Sequence, residues 1–143
     1  MNMENIKLVT KKYVMEKLEV LIEKYKFNID VLAKILGVKK EAILSKDEKK
    51  LFDNFKDYAK KIDLIFMLEM IGSDDADFKI GAFLQVLLEY HGITSETIAL
   101  MSGVNEKEVD NLVENPNLVP LESKYKISKT VMSLRFFLKE LEP

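Results

Sequence analysis

Two stretches of this chain share one spacing. Phe27 to Ser45 reads FNIDVLAKILGVKKEAILS, and Ile93 to Asn111 reads ITSETIALMSGVNEKEVDN. They align without a gap, 66 residues apart. In each, a small residue (Ala33, Ala99) is followed four positions later by glycine (Gly37, Gly103). An apolar residue comes next (Val38, Val104), and another five positions on (Ile43, Val109). This pattern leaves a backbone few choices. A small side chain in an apolar stripe lets a second helix come close. Glycine ends the first helix, because it alone takes a left-handed backbone without steric cost. The apolar residue after it plugs the corner, and the later one returns the second helix to the core. The spacing therefore predicts two helices at a steep crossing angle, twice.

In the first copy, Asp30 is the expected cap of a helix beginning near Val31, with Val31, Leu32 and Ile35 as its stripe. The second helix is expected from Lys39 or Lys40, with Ile43 and Leu44 facing the core. In the second copy, Thr94 or Ser95 caps, Ile98 and Ala99 occupy the inner face, and Val109 and Leu112 return inward. Two matches in phase, each preceded by an amphipathic helix, point to an internal repeat.

Both segments resemble the helix-turn-helix of the phage-repressor/Cro-like (XRE) superfamily, on the strength of Ala33-Gly37-Ile43 and Ala99-Gly103-Val109. The resemblance covers about 20 residues of each half. It implies that the residues opening the second helix face the DNA major groove. Those are Lys39, Lys40, Glu41, Ala42 and Ser45 in the first copy. In the second they are Asn105, Glu106, Lys107, Glu108 and Asn111. It also implies a homodimer on half-sites if the protein reads an operator.

Charge separates the two copies. Through Ile71 there are 15 lysines against 12 acids, a net of +3; from Gly72 onward 7 Lys plus Arg face 12 acids, a net of −5. The first recognition helix with its flank, KKEAILSKDEKK, has five lysines against three acids. The second, NEKEVDNLVEN, sets Glu106, Glu108, Asp110 and Glu114 against one lysine. Phosphates repel the second and attract the first. Lys39, Lys40, Ser45, Lys46, Lys49 and Lys50 are the expected DNA contacts. The opening positions of the first copy hold no Arg, Asn or Gln, the side chains suited to bidentate base reading, so phosphate contact fits better. The acidic face of Glu106 to Glu114 is expected to be structural, or to meet a second copy or a basic partner.

The rest of the chain reads as helices. Met1 to Val9 is expected as a tail or docked strand, and Thr10 as the cap of a helix to about Tyr25 with Val14, Leu18, Leu21, Ile22 and Tyr25 buried. Ser45 or Asp47 opens the next, whose stripe is Leu51, Phe55, Tyr58, Ile62, Ile65, Phe66, Glu69 and Met70. Its end, IDLIFMLEMI, is apolar on more than one face and is expected to be covered by the second half. Gly72 is expected to stop it, and Ser73, Asp74 or Asp75 to start a helix over Ala76 to Tyr90. Phe78, Ile80, Phe83, Leu84, Leu87 and Leu88 are the apolar residues of that helix. His91-Gly92 ends it. GSDDAD is too short for a free linker, so the halves are expected to pack together. Asn115-Pro116 and Val119-Pro120 mark an irregular connection before a last helix, about Glu122 to Leu141. Its expected stripe is Tyr125, Ile127, Val131, Leu134, Phe137 and Leu138.

The fold class that follows is all-α: two pseudo-repeated helical halves, residues 1–71 and 72–143, each with a helix-turn-helix, packed on a shared core. With 48% hydrophobic and 32% charged residues the chain is globular. It has no cysteine, which removes disulfides, thiolate metal sites and cysteine nucleophiles and favours the cytoplasm. No signal peptide or membrane span is expected. Glycines stand singly, so no phosphate loop is present, and there is no nucleophile elbow or histidine pair. No enzyme activity, metal or cofactor is expected. His91, the single histidine, reads as a cap or packing residue. SDDAD lacks the ligand spacing of a calcium loop and reads as helix capping. Two functions remain: a DNA-binding transcriptional regulator using the first copy, and a helix-turn-helix scaffold serving as adaptor, antirepressor or inhibitor through protein contact.

Overall fold

The computed structural model describes residues 12–53 and 58–142. The tail at Met1 to Val9, the Thr10 cap and the side chains of Phe55 and Tyr58 lie outside the described residues. Among those described, the chain is all-α and has no strand. Backbone contacts divide it between Ser73 and Asp74 into two compact units.

In the first unit, helix α1 (residues 12–19) sets Val14 and Leu18 inward, and the stripe continues to Leu21. The helix then widens into a π turn, Val20–Lys24. Tyr25 N–H donates to Val20 O at 3.2 Å and Phe27 N–H to Leu21 O at 2.9 Å. Lys26 follows in the left-handed region, φ +53°. Helix α2 (Ile29–Leu36) starts two residues before the predicted position, because Asn28 and not Asp30 is its cap: Asn28 Oδ1 accepts from Val31 N–H at 3.1 Å. Gly37, φ +65°, closes it, and Val38 N–H reaches back to Ala33 O at 3.1 Å. Helix α3 (Lys40–Leu44) is only five residues long. Helices α4 (Glu48–Asp53) and α5 (Tyr58–Ser73) complete the unit.

The second unit uses the same devices at the corresponding positions. Helix α6 (Ala76–Gln85) is capped by Asp75, whose Oδ2 accepts from Phe78 N–H at 3.0 Å. It runs into a π turn, Val86–Tyr90, where His91 N–H donates to Val86 O and Ile93 N–H to Leu87 O. Gly92, φ +69°, stands where Lys26 stood. Helix α7 (Ser95–Ser102) is capped by Thr94 and closed by Gly103, φ +73°, with Val104 N–H on Ala99 O at 3.1 Å. Helix α8 (Glu106–Glu114) begins on Asn105, whose Oδ1 accepts from Glu108 N–H at 2.9 Å. A 3-10 turn, Pro116–Leu118, leads to helix α9 (Leu121–Leu138).

Where the sequence predicts one shared core, the buried side chains form two clusters, one per unit. The first joins Val14, Leu18, Leu21, Leu32, Ala33, Leu36, Ala42, Ile43, Leu51 and Ile65. The second joins Leu84, Leu87, Ile98, Ala99, Val109, Leu112, Val119, Ile127 and Val131. The helices of each unit supply enough apolar stripe to close around themselves.

Other differences are local. Gly72 does not stop α5, which continues through Ser73. It provides room for Tyr25 instead: a Cβ there would lie 2.4 Å from the ring. Leu36, not Val31, carries the inner face of α2, and Leu44 stays half exposed because α3 ends beneath it. On α5, Ile65 and Glu69 turn into the first unit's core, while Met67, Met70 and Ile71 lie outside that core. Phe78 is exposed on α6. On α9, Ile127 and Val131 are buried, but Tyr125 and Phe137 point to solvent.

Candidate nucleic-acid interface

The helix-turn-helix of the first unit presents α3 and the segment after it. Lys39 is the residue before α3 and makes no capping bond, so its chain is exposed. Lys40 opens α3 and pairs with Asp30 of α2 at 3.2 Å, with both side chains still largely exposed. Ser45 is occupied by its own backbone: Oγ donates to Ala42 O at 2.9 Å and accepts from Asp47 N–H at 3.2 Å. These two hydrogen bonds turn the chain out of α3. Lys46 follows in the left-handed region, φ +53°, and Asp47 Oδ1 accepts from Lys49 N–H at 2.9 Å to start α4. Lys39, Lys40, Ser45, Lys46, Lys49 and Lys50 are all exposed.

The six predicted residues therefore lie on one short, outward-facing stretch, Lys39 to Lys50. Chemically it offers ammonium groups, compact point charges suited to phosphate oxygens. It offers no planar fork for a base edge. Asp30 was missed as a participant, because its sequence position suggests a cap and its contact with Lys40 depends on the crossing of α2 and α3.

In the second unit, α8 is a full turn longer and carries the opposite charge. Glu106, Asp110 and Glu114 are exposed and Glu108 is half-buried. Asp110 accepts a 2.7 Å hydrogen bond from Ser95 Oγ on α7. The basic residues of α9 are largely engaged within the unit. Lys124 pairs with Asp77 at 3.0 Å, Lys126 with Glu122 at 3.3 Å, and Lys129 donates to Met101 O at 3.1 Å.

Other candidate chemistry resolves into structure. His91 Nε2 lies 3.2 Å from Glu142 Oε1, and Arg135 meets the same carboxylate. Asp74 pairs with Lys79 at 3.3 Å while Asp75 caps α6, so the acidic run serves helix α6. Among the described residues no group of His, Cys, Asp or Glu has the arrangement of a metal site, and no helix is long and apolar enough to cross a membrane.

Two helices joined through a left-handed glycine, with the second helix exposed on its outer side, define a helix-turn-helix protein. A model of the Helix-turn-helix domain family matches residues 9–143, and the chain belongs to that family. The match is to the helix-turn-helix domain at large and does not single out the phage-repressor/Cro-like superfamily. No curated protein and no solved structure matches the chain.

Proposed function

We propose that this chain is a DNA-binding transcriptional regulator in which the first unit contacts double-stranded DNA and the second is structural or serves association. One observation carries the reading: five exposed lysines crowd the Lys39 to Lys50 stretch, while the equivalent helix of the second unit is acidic. A wall of phosphates draws the first and repels the second. The five-residue α3 favours backbone tracking over deep groove entry, since it holds little more than one turn. The shared π turns, left-handed positions 26 and 92, and glycine corners support reading the two units as copies of one ancestral unit. In that reading the second copy kept the corner and lost the cationic face.

The test is fluorescence anisotropy of a generic labelled duplex, titrated over salt. Wild-type affinity is expected in the range of about 10⁻⁴ to 10⁻⁶ M, with log affinity falling against log salt at a slope of about 0.9 per phosphate contact. Lys39→Glu with Lys40→Glu is expected to weaken binding and flatten that slope. Unchanged binding in the double variant refutes the assignment of the face. A second reading, contact with a basic protein through Glu106 to Glu114, is favoured by the exposed carboxylates of α8. No duplex binding even at low salt would move the function there.

A further inference from the structure

In the first unit, α1 and the turn that follows α3 enclose a pocket of about 350 Å³. Met15, Leu18 and Ile22 line one side of it, and Ile29, Ile43 and Leu44 another. Leu18 and Ile43 belong to the core of the unit, while Leu44 is 52% exposed and marks the mouth.

The pocket exists because α3 stops early. The two hydrogen bonds of Ser45 turn the chain away after Leu44, and Lys46 follows with its side chain exposed. The second unit differs at the corresponding positions, 66 residues on. There α8 continues to Glu114, and Leu112, the counterpart of Lys46, is buried in the core. Ser95 and Asp110, the counterparts of Ile29 and Leu44, are tied by a 2.7 Å hydrogen bond. The first unit therefore lacks the apolar plug and has two apolar side chains where the second has a polar latch. An apolar hollow without its plug gains by taking an apolar guest. Its volume lies at the small end of the roughly 300–1,000 Å³ of ligand pockets, so the guest is a small molecule.

The rim decides the charge of that guest. Glu19, Glu23 and Glu48 line the pocket against one cation, Lys46, so three carboxylates less one ammonium leave a net of −2. All four side chains are exposed. None of the three carboxylates takes part in an ion pair among the described residues. A concave mouth of one sign draws the opposite charge and turns away its own.

We propose that this pocket is a binding site for a small amphipathic cation, with its apolar body against Met15, Ile22, Ile29 and Leu44 and its positive head at Glu19 and Glu23. The proposal is independent of the DNA-binding reading and fails or survives separately from it. Amide NMR titration of the full chain with n-hexylammonium tests it, with hexanoate and 1-hexanol as the anionic and neutral controls. A ligand of about seven non-hydrogen atoms is expected to bind with a dissociation constant of about 1–5 mM. The shifts are expected at Leu18, Ile22, Ile29 and Leu44, and hexanoate is expected to bind at least ~10-fold more weakly. Glu19→Gln with Glu23→Gln is expected to weaken hexylammonium about 3- to 10-fold and to leave 1-hexanol unchanged. Ile29→Ser with Leu44→Asp installs the latch of the second unit and is expected to abolish binding of both, with unchanged far-UV circular dichroism. The glutamates are exposed, so their variant decides the matter even if the latch variant fails to fold. Hexanoate binding as tightly as hexylammonium, no saturable shift, shifts centred outside the pocket, an unaffected glutamate variant, or a folded latch variant that still binds each overturns the proposal.

Discussion

Positions 26 and 92 offer a matched test of how the units are built. Both follow a π turn and both are left-handed, yet one holds lysine and the other glycine. A non-glycine residue in this region costs about 1–2 kcal/mol. Glycine returns about 0.4–1 kcal/mol of that through the greater freedom of its unfolded chain. The Lys26 side chain is exposed, and a Cβ at Gly92 would meet nothing within 4 Å, so packing adds little in either direction. Lys26→Gly is therefore expected to stabilise the first unit by about 0.5–1 kcal/mol. Gly92→Lys is expected to destabilise the second by a similar amount. For a unit of this size the thermal midpoints move by about 3–6 °C in opposite directions. Urea unfolding followed by circular dichroism reads both, with an unchanged denaturant slope. If Lys26→Gly is neutral or destabilising, the strain assigned to this corner is not there.

The buried Ser102–Thr130 hydrogen bond, 2.8 Å, joins α7 to α9. Ser102→Ala is expected to cost about 1 kcal/mol because Thr130 Oγ1 loses the bond it accepts while still donating to Lys126 O at 3.4 Å, and a double-mutant cycle with Thr130→Val in urea would read the coupling. Asn105→Ala removes the cap of α8 and is expected to cost about 1 kcal/mol, measured as a lowered urea midpoint. Asp30→Asn releases Lys40 from its ion pair and is expected to raise duplex affinity by about 2- to 5-fold at low salt, converging with wild type at high salt.

The glycine corners were legible because their cause is local. Gly37 and Gly103 end their helices by a backbone geometry few other residues tolerate, and both Ala33 and Ala99 lie buried under the crossing. Ile43, Val109 and Leu112 likewise follow from helical spacing alone. What the sequence misplaced depends on neighbours. Asn28 outcompetes Asp30 as a cap because the π turn before it fixes where the chain enters α2. Gly72 looks like a stop signal, but its role is set by Tyr25, 47 positions earlier. Tyr125 and Phe137 satisfy a helical stripe on paper, yet α9 has more apolar positions than its unit can cover, and Ile127 and Val131 take the core. The lysines of the candidate interface were readable as a charge run. The shortness of α3 was not, because it follows from the Ser45 bonds that turn the chain.

The most direct test of DNA contact through the first unit is a two-dimensional amide NMR titration of the full chain with a short duplex at low salt. Shifts are expected to concentrate at Lys39, Lys40, Ser45, Lys46, Lys49 and Lys50, with the amides of Glu106 to Glu114 unmoved. Shifts centred on α8, or none anywhere as duplex is added, would contradict that contact.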